Sequence, residues 1–154
     1  MADDQTFLMG KYPAVLPGGL RYARNHMWAR PTAEGRWRFG FTSYAIRLMQ
    51  DVYFLDWQVS AGDAVKHSQQ IGHIETSKAE SDLFAPLAGI LAEFNAALLK
   101  DPSAINVEGY GAGWLFEMQG DAGALWPVQE YHQYLADNWE KTQRLIKGKI
   151  NTED

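Results

Sequence analysis

One lysine, Lys78, stands between two runs that both read as β-strands. Gln70-Ile71-Gly72-His73-Ile74-Glu75 precedes it, and Asp82-Leu83-Phe84-Ala85-Pro86 and Ala88-Gly89-Ile90-Leu91 follow. Two such runs joined by a short link fold as a hairpin, which places the lysine at the tip. A lysine there is exposed and free to carry a covalent arm, the layout in which a protein holds a cofactor and the cofactor does the chemistry. Most turn lysines carry nothing. This one has company: Glu75 lies three residues before it, Gly89 eleven after it, and Asp82 and Pro86 stand between.

The rest of the chain supports a mainly β fold. Residues up to about Pro17 read as an irregular lead-in, punctuated by Pro13, Pro17, Gly18 and Gly19. Arg36 to Phe41 alternates polar and apolar residues, the pattern of a half-buried strand. Thr42-Ser43 then caps a short helix over roughly 43–49. Val52 to Trp57 is rich in strand formers, and Ser60 to Val65 supplies a turn and a strand start. Gly89 leads into Ile90 to Asn95, and Ala96 to Lys100 forms a helical turn ended by Asp101-Pro102. Trp114 to Met118 reads as the last strand. Many short strands separated by Gly and Pro turns indicate a sandwich or barrel. A C-terminal amphipathic helix follows, with Pro127 at its start, Val128, Tyr131, Leu135, Leu145 and Ile146 on its apolar side, and Gly148 as a stop. It is expected to pack on its own domain. The boundaries read as a lead-in at 1–18, a domain at 19–120 and the helix at 127–148.

Composition excludes several classes. At 154 residues the chain suits one domain with a real core. A net charge of −5 argues against nucleic acid, whose phosphates need a clustered basic face. Arg21, Arg24, Arg30, Arg36 and Arg38 are separated by apolar residues and read first as solvated strand edges. There is no cysteine, which excludes disulfides, zinc–thiolate sites and a cysteine nucleophile; any dithiol chemistry must come from an attached group. No segment is long enough to span a membrane, and the acidic Met1-Ala2-Asp3-Asp4 start carries no apolar signal core, so a cytoplasmic location is expected. Gly109-Tyr110-Gly111-Ala112-Gly113 precedes a strand instead of a helix, which makes it a tight loop and not a nucleotide fingerprint. His26, His67, His73 and His132 show no metal-ligand spacing, and no nucleophile–base pair has support, so neither a metal nor a catalytic residue is expected. The six tryptophans read as core or interface residues.

Glu75-Thr76-Ser77-Lys78-Ala79-Glu80-Ser81-Asp82-Leu83-Phe84-Ala85-Pro86 resembles the lipoyl domains, and within them the H proteins of the glycine cleavage system. Ser77 and Ala79 flank the lysine where biotin carriers usually have methionine. The resemblance runs from about Gly19 to Met118, through His26 and Trp28, Gly40 with Thr42 and Ala45, Gly62-Asp63, Asn95 and Tyr110 to Leu115. It implies a barrel-sandwich hybrid of the lipoyl/biotinyl type with two helical additions. It also implies lipoic acid bound covalently to Lys78, with Glu75 and Gly89 as accompanying recognition positions and Asp82 as a cleft residue. The implied protein is a non-catalytic carrier, modified by a lipoate ligase or lipoyl transferase and reoxidised by dihydrolipoamide dehydrogenase. Its loaded arm folds into a cleft on the carrier's own surface.

The departures fall on that cleft, where His26, Met27 and Tyr44 are the positions concerned. The family usually has glutamate where this chain has Met27, and often histidine where it has Tyr44. Methionine cannot pair with a cationic amine as a carboxylate can. The substitutions favour an H-like lipoate-binding protein of sulfur oxidation, working with a heterodisulfide-reductase-like complex, over an H protein carrying an aminomethyl group from glycine decarboxylase to the aminomethyltransferase.

Overall fold

The structure, a computed structural model, describes residues 3–150, and side chains as far as Leu145. The chain opens with two strands, β1 (Gln5–Met9) and β2 (Tyr12–Leu16), paired as a hairpin. Then come β3 (Arg21–Tyr22), β4 (Met27–Ala33), β5 (Arg36–Phe41), helix α1 (Ser43–Met49), β6 (Val52–Trp57), β7 (Ala64–Val65), β8 (Gln70–Thr76), β9 (Glu80–Phe84) and β10 (Gly89–Phe94). Two one-turn helices, α2 (Ala97–Lys100) and α3 (Ala104–Val107), lead to β11 (Phe116–Gly120) and the long helix α4 (Val128–Ile150).

Two antiparallel sheets form the body. One has the order β3-β4-β5-β11-β10-β7 and the other β6-β8-β9. The main core contains residues of both, including Phe39, Phe116, Leu91 and Met118 from the larger sheet and Leu55, Ile71, Ile74 and Leu83 from the smaller. The period of two along each strand sends those side chains inward and their neighbours outward. On β5 it leaves Arg36 and Arg38 outside, where both guanidiniums bond the Glu117 carboxylate at 2.6 and 2.8 Å. The arginines are thus partly consumed inside the sheet: Arg30 donates to the Tyr110 carbonyl, and Arg38 lies over the Trp114 ring.

Two glycines are required by close approach. Gly40 lies opposite Trp28, and a Cβ there would stand 2.5 Å from the indole ring. Gly89 sits in extended β10 between Val65 and Gly120, and a Cβ would strike the Gln119 carbonyl oxygen. Neither is among the residues of positive φ. Gly109 and Gly113 follow the same rule, packed against Ile46 and the Ala104 carbonyl, so the glycine-rich loop is explained by crowding and not by left-handed backbone.

A second core joins the N-terminal hairpin to α4. Phe7, Leu16, Tyr22, Trp28, Tyr44, Val128, Tyr131 and Leu135 are all buried in it. Tyr22 and Tyr131 stack at 4.6 Å, and Phe7 meets the edge of Trp139 at 5.5 Å. The expected irregular lead-in is therefore corrected. Phe7, Met9, Ala14 and Leu16 alternate inward, and Gly10, at φ 64°, makes the turn between the strands. The prolines that suggested a loop lie at 13, on a strand of a two-stranded sheet, and at 17, just past its end.

Three further readings change. The last strand begins at Phe116 instead of Trp114, and α3 is an addition. Helix α4 continues through Gly148 to Ile150, because an interior glycine costs a helix only about 1 kcal/mol relative to alanine. Pro127 precedes the helix and its carbonyl accepts from the Tyr131 amide. Of the expected apolar stripe, Val128, Tyr131 and Leu135 are buried, Leu145 is exposed, and the Ile146 side chain lies outside the described residues. Helix α1 spans Ser43–Met49 with Thr42 as its cap, its Oγ1 accepting from the Ala45 amide. No described helix is long and apolar enough to cross a membrane.

Candidate functional site

Lys78 lies in the turn between β8 and β9, and the turn is built by its neighbours. Thr76 Oγ1 accepts from the amides of Lys78 and Ala79, both at 3.2 Å, and donates to the Ala79 carbonyl at 3.1 Å. Ser77 ties the turn to the start of β6: its amide donates to the Asp51 carbonyl and its Oγ accepts from the Asp51 amide. A buried threonine thus fixes the backbone beneath Lys78, which is half-buried and not fully exposed as its turn position suggested.

The outer face of the hairpin is acidic. Strand pairing sets Glu75 opposite Glu80, and His73 opposite both Asp82 and Asp56. His73 bonds Asp82 through Nδ1 at 3.3 Å and approaches Glu75 through Nε2 at 3.5 Å. One ligand-type atom from each of His73, Glu75 and Glu80 falls within 4.8 Å of the others, a grouping made by the sheet that chain spacing does not reveal. Glu75 is half-exposed beside the turn.

The inner face of the same hairpin borders a cavity of about 250 Å³. His26 and Met27 come from the start of β4, Phe41 and Ala45 from β5 and α1, and Ile74, Ser81 and Leu83 from the hairpin. Ser81 is three residues beyond Lys78, about 10 Å along an extended strand. The wall is mostly apolar. Asp82 borders the cavity, but its carboxylate turns to His73 on the outer face. Tyr44 does not line the cavity. It is buried in the second core, 5.9 Å from Phe7 and 6.0 Å from Trp139, because α1 turns that side toward α4. Of the cleft residues implied by the resemblance, His26, Met27 and Asp82 border the cavity, and Tyr44 stands behind them with its ring 4.9 Å from that of His26.

His26 has a left-handed backbone, φ 70°. Burial holds its imidazole well below the usual histidine range, at about 4, so it is neutral near pH 7. Its Nδ1 lies 3.0 Å from the Tyr131 hydroxyl, which lies 3.1 Å from Thr42 Oγ1. Sequence reasoning took Tyr131 only as part of an apolar stripe and gave Asn25 no role. Asn25 donates from Nδ2 to the Phe84 carbonyl at 2.9 Å and borders both this cavity and a neighbouring one of about 330 Å³ beside His67 and Ser68. No signal in the linear sequence links Tyr131 to His26, which are 105 positions apart.

The glycine cleavage H-protein family model matches residues 20–141. The glycine cleavage system H protein of Alteromonas mediterranea is 38% identical over 109 residues, covering 71% of this chain and 84% of that one. The corresponding protein of Psychrobacter cryohalolentis is 36% identical over 124 residues, covering 78% of this chain and 98% of that one. A crystal structure of a glycine cleavage system H protein from Mycobacterium marinum superposes with a TM-score of 0.68 at 34% identity, covering 79% of this chain and 98% of that one. The sulfur-oxidation cargo favoured by Met27 and Tyr44 finds no support in these similarities, which agree with the aminomethyl alternative.

Proposed function

The chain belongs to the glycine cleavage H-protein family, and from that premise we propose that Lys78 is its lipoyl attachment site and that the arm carries an aminomethyl group between the enzymes of glycine cleavage. As a member of the family it is a non-catalytic lipoyl carrier, with lipoate held covalently on a lysine. The observation that carries the assignment to Lys78 is its position: a rigid turn at one end of the hairpin whose inner face borders the apolar cavity.

When attached, lipoate supplies a disulfide that exchanges with an incoming group and leaves one thiol free. The chain's own residues supply the rest. Thr76 and Ser77 hold the tip. Glu75 and Glu80 present negative charge beside the lysine, which suits recognition by the modifying enzyme. Met27, Phe41, Ile74 and Leu83 offer a dry wall that keeps water from a docked arm. Glycine decarboxylase and the aminomethyltransferase are the proposed partners, with dihydrolipoamide dehydrogenase restoring the disulfide.

The reading is tested by incubating the lipoylated chain with glycine and glycine decarboxylase and measuring intact mass. A mass gain of one aminomethyl group supports it. No gain, while a verified H protein loads in parallel, overturns the aminomethyl cargo and leaves sulfur compounds as the next cargo to try.

A further inference from the structure

The C-terminal helix reaches the cavity through a single hydrogen-bond chain. The Ala45 amide donates to Thr42 Oγ1 at 3.2 Å, Thr42 Oγ1 meets the Tyr131 hydroxyl at 3.1 Å, and that hydroxyl meets His26 Nδ1 at 3.0 Å. Each hydroxyl has one proton to give. Thr42 is buried and already accepts from Ala45, and among the described residues Tyr131 is the one acceptor within its reach. If Tyr131 donated to Thr42, the Thr42 proton would be sealed in without a partner, at a cost of about 1–3 kcal/mol. Satisfying both hydroxyls fixes the direction: Thr42 donates to Tyr131, and Tyr131 donates to Nδ1. The proton of the neutral imidazole then sits on Nε2. Among the described residues Nε2 has no hydrogen-bond partner, and it is not one of the sealed polar atoms.

We propose that Tyr131 of α4 locks His26 as its Nε2–H tautomer and so gives the cavity an uncharged N–H donor that positions the docked arm. The residues around it agree. Met27 brings no charge, and the Asp82 carboxylate is turned outward to His73. The cavity therefore suits an uncharged hydrogen-bond acceptor on the arm, such as an amide carbonyl or the lone pair of a neutral amine, and not a cation. His26 is the group that meets the arm, and Tyr131 is a positioning residue acting through it. The inference about the arm rests on the carrier reading above, whereas the tautomer does not.

The test uses the full chain labelled with ¹⁵N-histidine, with His26→Gln to assign the signals. In the wild type we expect Nδ1 unprotonated and hydrogen-bonded and Nε2 protonated. In Tyr131→Phe, which keeps the ring stacked on Tyr22, the Nδ1 resonance should move to that of a nitrogen without a donor. A wild-type Nδ1 that carries the proton, or an Nδ1 resonance unchanged in the variant, overturns the proposal. If the variant does not fold, the wild-type tautomer alone decides. A second readout is the half-life of the aminomethyl-loaded arm, expected to shorten several-fold in Tyr131→Phe; an equal half-life overturns the positioning role. A wild type that never loads contradicts the glycine-cleavage reading and leaves the tautomer result standing.

Discussion

Asp82 bonds His73 across the hairpin at 3.3 Å, on the face opposite the cavity. The pair separates two properties of one β-strand. Its outward residues make an acidic surface beside Lys78, and its inward residues, Ser81 and Leu83, line the apolar cavity. Both groups of the pair are partly exposed, so the bond adds little stability, in the range of about 0–1 kcal/mol. Asp82→Asn should therefore change the melting temperature little, and it should leave the half-life of the loaded arm within about twofold. A sharp loss of half-life would mean that the carboxylate turns inward when the arm docks.

Gly89 provides a second prediction. The family resemblance implies that it accompanies the lysine in lipoylation. Its environment shows an extended residue pressed against the Gln119 carbonyl. Gly89→Ala should cost about 3 kcal/mol, at the upper end of ordinary overpacking, because a backbone atom and not a flexible side chain must move. Chemical denaturation checks it. An unchanged midpoint with reduced lipoylation would restore the recognition role.

Acid should destabilise the protein through His26. Its folded pKa is about 4 against 6.5 for an ordinary histidine. Between those values the unfolded chain takes up a proton that the folded state refuses. This contribution is present above pH 6.5 and is lost as pH falls towards 4, an effect of the order of 3 kcal/mol. Thermal melts from pH 7 to pH 4 should thus fall more steeply for the wild type than for His26→Gln. Parallel curves would show that the pKa of His26 is not lowered in the folded protein.

Glu117 acts in a similar pH direction for a different reason. Burial pushes its carboxyl up, but hydrogen bonds from Arg38 and Arg36 outweigh that and hold it below the usual range. The stabilisation is present above the unfolded carboxylate pKa and disappears as pH falls through the lowered folded value. Glu117→Gln should cost about 1.5–3 kcal/mol at pH 7, the scale of hydrogen bonds to charged groups, as measured by urea unfolding.

Much of this arrangement is legible in the sequence, and the rest is not for identifiable reasons. The alternation over Arg36 to Phe41, the Thr42 cap and the turn at Lys78 are local patterns, and each is found where the residues place it. The β1–β2 hairpin was hidden because Pro13 and Pro17 read as loop, whereas its four inward side chains become meaningful only once α4 covers them. The family resemblance implied Tyr44 as a cleft residue; α1 packs its ring against His26, Phe7 and Trp139, beside the cavity and not on its wall. The link from Tyr131 to His26 and the His73–Glu75–Glu80 grouping arise from packing and strand register, neither of which is written in any one segment.

The most direct test of the central claim is peptide mass mapping after the chain is expressed with a competent lipoate ligase. The account predicts one lipoyl group, on Lys78, and an unmodified but normally folded Lys78→Arg variant. A lipoyl group on another lysine, or none on the wild type, would contradict it.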